Sequence, residues 1–425
     1  MAALRTLRVG LAYPNGFVVA RSRSRQLRFA MDSMHRFYSA TATSLPSSSA
    51  VVVGAGPGGI TVVGNLLEHG AELQTDQQKL VWVDPHFQGG RVNARYREVP
   101  SNTKVSLFVQ FAHDVSPFKA IVEATPKPNA LTTLLELPQD EGCHLSYAAD
   151  MCVMLTNGLT SHPQVQPHQG KVTSAVFDEQ TNIWKVGFDN GGYVSTSKIA
   201  LCTGSAPISK TVPAIERMHQ ESLKPVDLDV ALAPSILAKT FDPTANTTVA
   251  VVGASHSAIL VLMNLVQLAN STHPHLRIKW FTRNELRYAE YMDGWILRDN
   301  TGLKGQAAEW ARQNLDVETF PNSPVSKVIT KIWTAGKEEE AYKAELPECT
   351  HMVQAVEYDD LSGRFYEKDS PAELERKYIP GLFGAGIAFP ERVTDPHGNV
   401  EHAVGFWKFM KYVKKVVPNW VKPSI

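Results

Sequence analysis

The sequence predicts an α/β fold of two Rossmann-like domains, the second inserted in the first, with an added β-meander. Two glycine-rich turns, about 200 residues apart, each follow a valine-rich strand and precede a helical pattern of apolar residues. Between them, short alternating segments within 171–201 predict the meander. These observations divide the chain into an arm at 1–49, a first domain at 50–230 and 346–425, and a second domain at 231–345.

The first turn, Gly54-Ala55-Gly56-Pro57-Gly58-Gly59, fits the pattern G-x-G-x-x-G between a strand at 50–53 and a helix at 60–67. The first glycine permits a tight turn, the second lets backbone approach a pyrophosphate, and the third lets helix and strand pack closely. The helix N-terminus also favours phosphate groups. The next strand ends at Asp84, which would accept hydrogen bonds from ribose hydroxyls, and Gly89-Gly90-Arg91 follows. The first domain is therefore predicted to bind a dinucleotide.

The second turn, Gly253-Ala254-Ser255-His256-Ser257-Ala258, replaces two of the three glycines. Ser255 still lets backbone approach a phosphate and adds a hydroxyl donor, and Ala258 still permits close helix packing. The following strand ends in Thr282-Arg283, and an arginine there would pair with a 2′-phosphate that an acid would repel. The second domain is therefore predicted to bind NADPH, with NADH as the alternative. A degenerate unit that only packs against the first domain is a further alternative.

Composition excludes several classes of function. Lys+Arg and Asp+Glu each number 42, so no nucleic-acid partner is expected. The four cysteines form no C-x-x-C pair, so neither a zinc site nor a local redox disulfide is expected, and no apolar run is long enough to span a membrane.

The N-terminal arm has a composition of its own. Residues 1–49 carry seven arginines, no lysine and the single acid Asp32, which is typical of a mitochondrial transit peptide. Arg36-Phe37-Tyr38-Ser39 also resembles a processing site. The alternatives are a disordered arm and a later start at Met31 or Met34.

Other residues leave two interpretations open. Thr203-Gly204 is either an ordinary strand-ending turn or part of the first cofactor site. His256, His397 and His402 are explained as well by structural roles as by catalysis, so no catalytic residue is assigned.

The last helix is amphipathic. It carries Phe406, Met410, Val413 and Val417 on one face, with Lys408, Lys411 and Lys415 opposite, and Pro418 is expected to end it. We expect this helix to cover the core, with peripheral contact to an anionic membrane as the alternative.

In this order the features resemble those of flavoproteins with two dinucleotide-binding domains, the superfamily of pyridine nucleotide–disulfide oxidoreductases and flavin-dependent monooxygenases, over residues 50–420 in outline. Residues 201–207 are similar to its Ala-Thr-Gly-x-x-Pro segment, 379–386 to the strand that closes its FAD site, and the second turn to the NAD(P)H turn of its monooxygenase and N-hydroxylase branch. The resemblance implies FAD contacts at Gly54, Gly56, Pro57, Gly58, Gly59, Asp84, Gly90, Arg91, Thr203, Gly204 and Gly386. It implies NADPH contacts at Gly253, Ser255, Ser257, Ala258 and Arg283.

Three departures limit what the resemblance implies. No cysteine pair follows the first turn, so disulfide-reductase chemistry is not implied. The Phe-x-Gly-x-x-x-His segment of flavin monooxygenases is missing between Pro207 and Val249. The Gly-Asp that follows the closing strand is replaced by Gly386-Ile387, which removes a carboxylate that usually contacts FAD.

The sequence thus predicts a mitochondrial FAD-dependent NAD(P)H oxidoreductase that passes hydride from NAD(P)H to FAD and on to a small acceptor or to oxygen. Two alternatives stay open: a flavin-dependent N-hydroxylating monooxygenase, and a nucleotide-binding redox module without turnover. The expected partner is a small-molecule electron acceptor or substrate. No oligomeric state is predicted.

Overall fold

The computed structural model describes residues 18–22, 45, 47–70, 78–207, 223–356 and 379–422, the first of these as backbone only. Its strands are β1 Val18–Ser22, β2 Val51–Val53, β3 Leu80–Asp84, β4 Pro100–Lys104, β5 Gly142–His144, β6 Val165–Gln169, β7 Val172–Asp178, β8 Ile183–Phe188, β9 Tyr193–Thr196, β10 Ile199–Leu201, β11 Lys224–Val226, β12 Thr247–Val252, β13 Leu276–Thr282, β14 Glu290–Tyr291, β15 Ile296–Leu297, β16 Ile329–Trp333, β17 His351–Gln354, β18 Leu382–Gly384, β19 Glu391–Thr394 and β20 Val400–Ala403.

Its α-helices are α1 Pro57–Glu68, α2 Arg91–Arg95, α3 Val105–His113, α4 Ser116–Ala124, α5 Ala130–Leu135, α6 Leu145–Thr160, α7 Leu228–Ala231, α8 Pro234–Leu237, α9 His256–Ser271, α10 Gly305–Asn314, α11 Glu338–Glu345 and α12 Phe406–Trp420. Short 3-10 turns lie at Phe320–Asn322, Pro324–Lys327 and Leu346–Glu348.

The first Rossmann sheet has the strand order β18-β10-β2-β3-β6, and all its strands run parallel. Its central strands are almost wholly apolar because both faces of the sheet are covered. One face packs against helices, with Trp82, Phe108 and Phe118 in the core between them. The other face packs against the meander, where Val51 meets Trp184. The first domain therefore has three layers: helices, parallel sheet and meander.

The meander consists of β7, β8 and β9 in antiparallel order, as predicted, with β1 added parallel to β7. The meander does not extend to residue 201, as the alternating pattern predicts, because the chain changes sheets after Thr196. The Thr196 hydroxyl accepts from Lys198 N at 3.2 Å, and Ile199 N donates to the Gly381 carbonyl at 2.7 Å. β10 therefore belongs to the parallel sheet and carries Thr203 to its edge.

The second Rossmann sheet has the order β11-β17-β12-β13-β16 and is also fully parallel. Two of its strands, β11 and β17, lie outside the range 231–345 expected from the sequence. β17 pairs directly with the central β12, with the fully buried Val251 opposite Val353. In the described part of the chain the second unit therefore extends over 223–356.

Helix α12 lies against the helical layer of the first domain. Phe406, Met410, Val413 and Val417 are buried, so its apolar face is occupied by the core and not free for a membrane. The helix continues past Pro418 to Trp420, contrary to expectation, because one lost backbone hydrogen bond in the last turn is tolerated. Within the described ranges, no helix has the length and apolar composition needed to cross a membrane.

Candidate dinucleotide-binding sites

The first glycine-rich turn joins β2 to α1 as predicted. Gly54 has φ of 104°, and a side chain there would overlap the Cys202 carbonyl oxygen. A side chain on Gly59 would overlap the Gly54 carbonyl oxygen. Pro57 is the first helical residue, where its missing N–H is not needed. The turn can therefore form only with glycine at its first and last positions.

The remaining glycines of the first site meet at one place. A Cβ on Gly90 would lie 2.6 Å from the Gly56 Cα, and a Cβ on Gly58 would lie 2.9 Å from the Gly386 Cα. A Cβ on Gly56 itself would meet only the Gly90 Cα, at 3.8 Å. Three chain segments that are distant in sequence thus form a cradle of bare backbone at the N-terminus of α1. Such a cradle fits a pyrophosphate.

Asp84 fixes the shape of this turn. Its Oδ2 accepts from Ala55 N at 2.7 Å, and its Oδ1 accepts from His86 N and Phe87 N, each at 2.8 Å. Each carboxylate oxygen can accept two hydrogen bonds, so Oδ2 keeps capacity for a ribose hydroxyl. The predicted ribose-binding residue therefore also holds the phosphate turn in place.

Arg91 of the first domain forms an ion pair with Asp229 of the second. Its Nη2 donates to Asp229 Oδ2, and the Tyr96 hydroxyl donates to Asp229 Oδ1 at 3.0 Å. Asp229 stands at the start of α7 in the second unit. The Arg91 Nε is buried with no partner among the described residues. The guanidinium is thus partly committed to Asp229, and its buried Nε–H is left for a ligand.

Thr203 and Gly204 follow β10, beside the first turn. The Thr203 hydroxyl is buried and, within the part of the chain that the structure describes, makes no hydrogen bond. Such an orphaned hydroxyl fits a cofactor group. The adjacent Cys202 is buried, and burial raises the pKa of its thiol to about 12, so this cysteine is not a redox thiolate at neutral pH.

The second turn joins β12 to α9. A Cβ on Gly253 would lie 2.5 Å from the Ala355 carbonyl oxygen. The Ser255 hydroxyl donates to that same oxygen at 2.8 Å and accepts from Ala258 N at 3.3 Å, as an N-cap. Ser255 was expected to offer its hydroxyl proton to a phosphate, but that proton is used by Ala355. Ser257, the second residue of α9, is half-buried, and the first N–H groups of the helix have no partner within the helix.

A tryptophan supports each turn in the same way. Trp82 Nε1 donates to the Gly54 carbonyl at 2.9 Å, and Trp280 Nε1 donates to the Gly253 carbonyl at 2.7 Å. Each tryptophan lies opposite the residue two positions before its glycine, Val52 or Val251. Neither tryptophan was predicted to belong to a site, although each occupies the strand that follows a glycine-rich turn.

His256, the first residue of α9, lies beside a group of charged residues. Burial, with the nearby Lys304 ammonium, lowers the pKa of His256 to about 4, so the imidazole is neutral at pH 7. Lys304 and Lys408 donate to the two carboxylate oxygens of Asp299 at 2.7 and 2.8 Å. Burial opposes ionisation of Asp299, but these hydrogen bonds outweigh it and lower the pKa of the carboxyl group. The helical pattern placed Lys408 on the solvent face, but its side chain is instead paired with Asp299.

Arg283 lies at the end of β13, where it was expected, and its side chain is 66% exposed. Among the described residues it forms a loose ion pair, with Nε 3.4 Å from Glu338 Oε1. An exposed pair of this type contributes little, so the guanidinium is available to a phosphate.

His397 and His402 lie exposed on the β19–β20 hairpin, where the His397 ring contacts Trp295.

Comparison with known proteins agrees with this geometry. A family model described as FAD-NAD(P)-binding matches residues 51–206. The chain is 51% identical over 398 residues to monooxygenase AgnR1 of Paecilomyces divaricatus, covering 88% of this chain and 98% of the relative. This relative favours a monooxygenase over the plain oxidoreductase that the sequence first suggested.

Solved structures of the same fold are more distant in sequence. The FAD-bound cadaverine monooxygenase DfoA of Erwinia amylovora matches with a TM-score of 0.54 and 11% identity, over 88% of this chain and 94% of that one. The flavin-containing monooxygenase of Stenotrophomonas maltophilia matches with a TM-score of 0.52 and 11% identity, over 88% and 98%. These likenesses show the two-domain α/β fold. The bare-backbone cradle, the orphaned Thr203 hydroxyl and the free Arg91 Nε fit FAD in the first domain.

Proposed function

Since this chain belongs to the FAD- and NAD(P)-binding family of flavin-dependent monooxygenases, we propose that it uses NADPH and oxygen to insert one oxygen atom into a small-molecule substrate. The observation that supports this most is the pair of phosphate turns, each built on a parallel sheet and each supported by a tryptophan. Bound FAD supplies the hydride-accepting and oxygen-activating chemistry.

The residues of the chain bind and orient the two cofactors. The cradle of Gly56, Gly58, Gly90 and Gly386 admits the FAD pyrophosphate, and Asp84 holds the turn while it accepts a ribose hydroxyl. The N-terminus of α9 binds the NADPH pyrophosphate, and Arg283 pairs with the 2′-phosphate. No cysteine pair follows the first turn, which favours direct transfer to oxygen over a thiol relay.

N-hydroxylation of an amine is the second candidate reaction. The second turn resembles that of the N-hydroxylating branch, and the DfoA enzyme of the same fold is a cadaverine monooxygenase.

The departure at Gly386-Ile387 does not remove the backbone cradle for FAD, because Gly386 still contacts Gly58.

An absorption spectrum of the purified protein tests the proposal. We expect a yellow protein whose visible absorbance is bleached by NADPH without oxygen and recovers when oxygen enters. With a substrate present, oxygen consumption should match hydroxylated or oxygenated product; candidate substrates include diamines. A colourless protein that takes up no FAD would support the non-catalytic module. A yellow protein that forms only hydrogen peroxide with every substrate class would support the plain oxidoreductase.

We also propose that the arm at 1–49 directs the protein to mitochondria. Seven arginines against one acid support this, while the candidate processing site at 36–39 lies outside the described residues. Cleavage there would remove β1 from the edge of the meander. The test is the N-terminal sequence of the protein isolated from its native cell, which we expect to begin near Ser39. A cytosolic protein that retains Met1 would contradict the proposal.

A further inference from the structure

Trp333 is a large aromatic residue that the fold leaves on the surface. It is the last residue of β16, the edge strand of the second sheet, and it is 51% exposed. Other tryptophans of this domain and its neighbour, such as Trp280 and Trp82, are fully buried and hydrogen-bonded. A single exposed aromatic residue is common on protein surfaces, so the argument for a ligand depends on what lies beside Trp333.

The position of Trp333 in the sheet relates it to the second phosphate turn. Trp333 is in register with Thr282, and Lys331 with Trp280, so all four side chains lie on one face of the sheet. Trp280 donates to the Gly253 carbonyl, so this is the face on which the turn lies. From β12 to β16 there are two interstrand spacings, roughly 10 Å, which is about the reach of an adenosine from its diphosphate.

Two neighbouring groups add to this. Arg283 directly follows Thr282 and is 66% exposed. The Thr334 hydroxyl, next to Trp333, is buried and has no hydrogen-bond partner among the described residues. An exposed aromatic ring, an exposed guanidinium and an unpaired hydroxyl thus lie at the carboxyl ends of the neighbouring strands β13 and β16, where open parallel sheets bind ligands. Side chains alternate along a strand, so Trp333 lies on one face of the sheet and Arg283 on the other, and a nucleotide bound over the strand ends can contact both.

From this juxtaposition we propose that Trp333 stacks on the adenine ring of the nicotinamide nucleotide, while Arg283 contacts the phosphate on the ribose of the same adenosine. The inference rests on NADPH binding to the second domain. It assigns the two residues separable roles: Trp333 recognises adenine in both NADPH and NADH, whereas Arg283 recognises only the 2′-phosphate.

The test uses fragments that lack the nicotinamide, with the FAD-loaded protein. Binding of ADP-ribose and of 2′-phospho-ADP-ribose is measured by titration calorimetry for wild type, Trp333→Ala, Trp333→Phe and Arg283→Ala. Trp333→Ala should raise the Kd of both fragments by about fivefold to 140-fold, equivalent to ~1–3 kcal/mol for a base–aromatic stack at 1.4 kcal/mol per tenfold. Trp333→Phe should restore most of the affinity, and Arg283→Ala should weaken only the phosphorylated fragment.

Tyr291→Ala is the matched control, because Tyr291 is 70% exposed and lies on a separate hairpin. Trp333→Gln is the second truncation, used if Trp333→Ala fails to fold. Unchanged Kd values in the Trp333 truncations, or an equal loss in Tyr291→Ala, would overturn the proposal. If wild type binds ADP-ribose tightly and the substitutions of Trp333 leave its Kd unchanged, only the proposed adenine contact is wrong, and NADPH binding to the second domain still stands. A wild type that binds neither fragment contradicts NADPH binding itself, and with it both this inference and the proposed function.

Discussion

At the scale of single residues, the glycines of the first turn serve two different needs. Gly54 and Gly59 are required by the protein itself, since a side chain at either position would overlap backbone. Gly56 is different: its φ of −81° suits any residue, and a Cβ there meets only the Gly90 Cα at 3.8 Å. The protein alone does not require glycine at 56, and the close approach of a cofactor pyrophosphate does.

Substitution at Gly56 should therefore separate cofactor binding from folding. In Gly56→Leu, we expect the FAD content to collapse while the melting temperature of the apoprotein stays within a few degrees of wild type. Gly59→Ala is the control, because its methyl group would overlap the Gly54 carbonyl oxygen and should lower the melting temperature of the apoprotein itself. Full FAD occupancy in Gly56→Leu, measured by absorbance after gel filtration, would contradict the assignment of the first site.

Arg283 should determine nucleotide choice. A charge-assisted contact with the 2′-phosphate is worth roughly 1.5–3 kcal/mol, or about tenfold to 140-fold. Arg283→Ala should raise the KM for NADPH by this factor and leave the KM for NADH nearly unchanged. Glu338→Gln is the paired control and should lower the KM for NADPH slightly, because it removes the acid beside Arg283. A wild type that prefers NADH, or an equal loss for both nucleotides, would show that Arg283 does not recognise the 2′-phosphate.

At the scale of secondary structure elements, each Rossmann unit repeats one device. The tryptophan of the second strand donates its indole N–H to the carbonyl of the first glycine in the turn. This bond fixes the orientation of the first peptide unit of each turn, next to the N-terminus of the helix where a phosphate would bind. The two tryptophans should therefore affect different cofactors although both are buried.

Trp82→Phe and Trp280→Phe are each other's controls. Each leaves one buried carbonyl unpaired, at a cost of about 1–3 kcal/mol. We expect Trp82→Phe to raise the Kd for FAD several-fold with an unchanged KM for NADPH, and Trp280→Phe to raise the KM for NADPH with an unchanged FAD content. Equal effects of both variants on both cofactors would mean that the tryptophans only fill the core.

Among the secondary structure elements, those whose signals are local in sequence could be predicted, and those that depend on distant partners could not. Both turns, their strands and their helices were predicted because a turn, its strand and its helix are local in sequence. The place of β17 was missed because a four-residue strand carries little periodic signal, and its position depends on pairing with β12, about 100 residues earlier. Lys408 was assigned to the solvent face because its helical position gives no information about Asp299, which reaches it from the other domain.

At the scale of the whole molecule, contacts between charged and polar residues join the two domains. Arg91 and Tyr96 of the first domain bind Asp229 of the second. Lys408 of α12 binds Asp299, and Glu401 accepts from Asn300 N at 3.0 Å. Hydride transfer requires that the nicotinamide and the flavin meet at a fixed distance, so these contacts are candidates for setting the arrangement of the two cofactors.

Asp229→Asn tests this role. The carboxylate is 10% exposed and its loss leaves the half-buried Arg91 without an anionic partner, so we expect a loss of about 1–3 kcal/mol in the free energy of unfolding. The backbone cradle for FAD is untouched, and the asparagine side-chain oxygen can still accept a hydrogen bond from Arg91. FAD content should therefore stay near wild type, while the rate of flavin reduction by saturating NADPH falls. Stopped-flow absorbance measures that rate independently of oxygen chemistry.

Asp150→Asn is the matched control for this prediction. The Arg97–Asp150 pair is also an arginine–aspartate pair, with 2.7 Å between Nη1 and Oδ1, but it is exposed and lies wholly within the first domain. Its loss should cost less than about 1 kcal/mol and leave the reduction rate unchanged. If Asp229→Asn lowers stability but not the reduction rate, the ion pair stabilises the domain contact without positioning the cofactors. If both variants slow reduction equally, the effect comes from surface charge, because Asp229 pairs across the two domains whereas Asp150 pairs with Arg97 of its own domain.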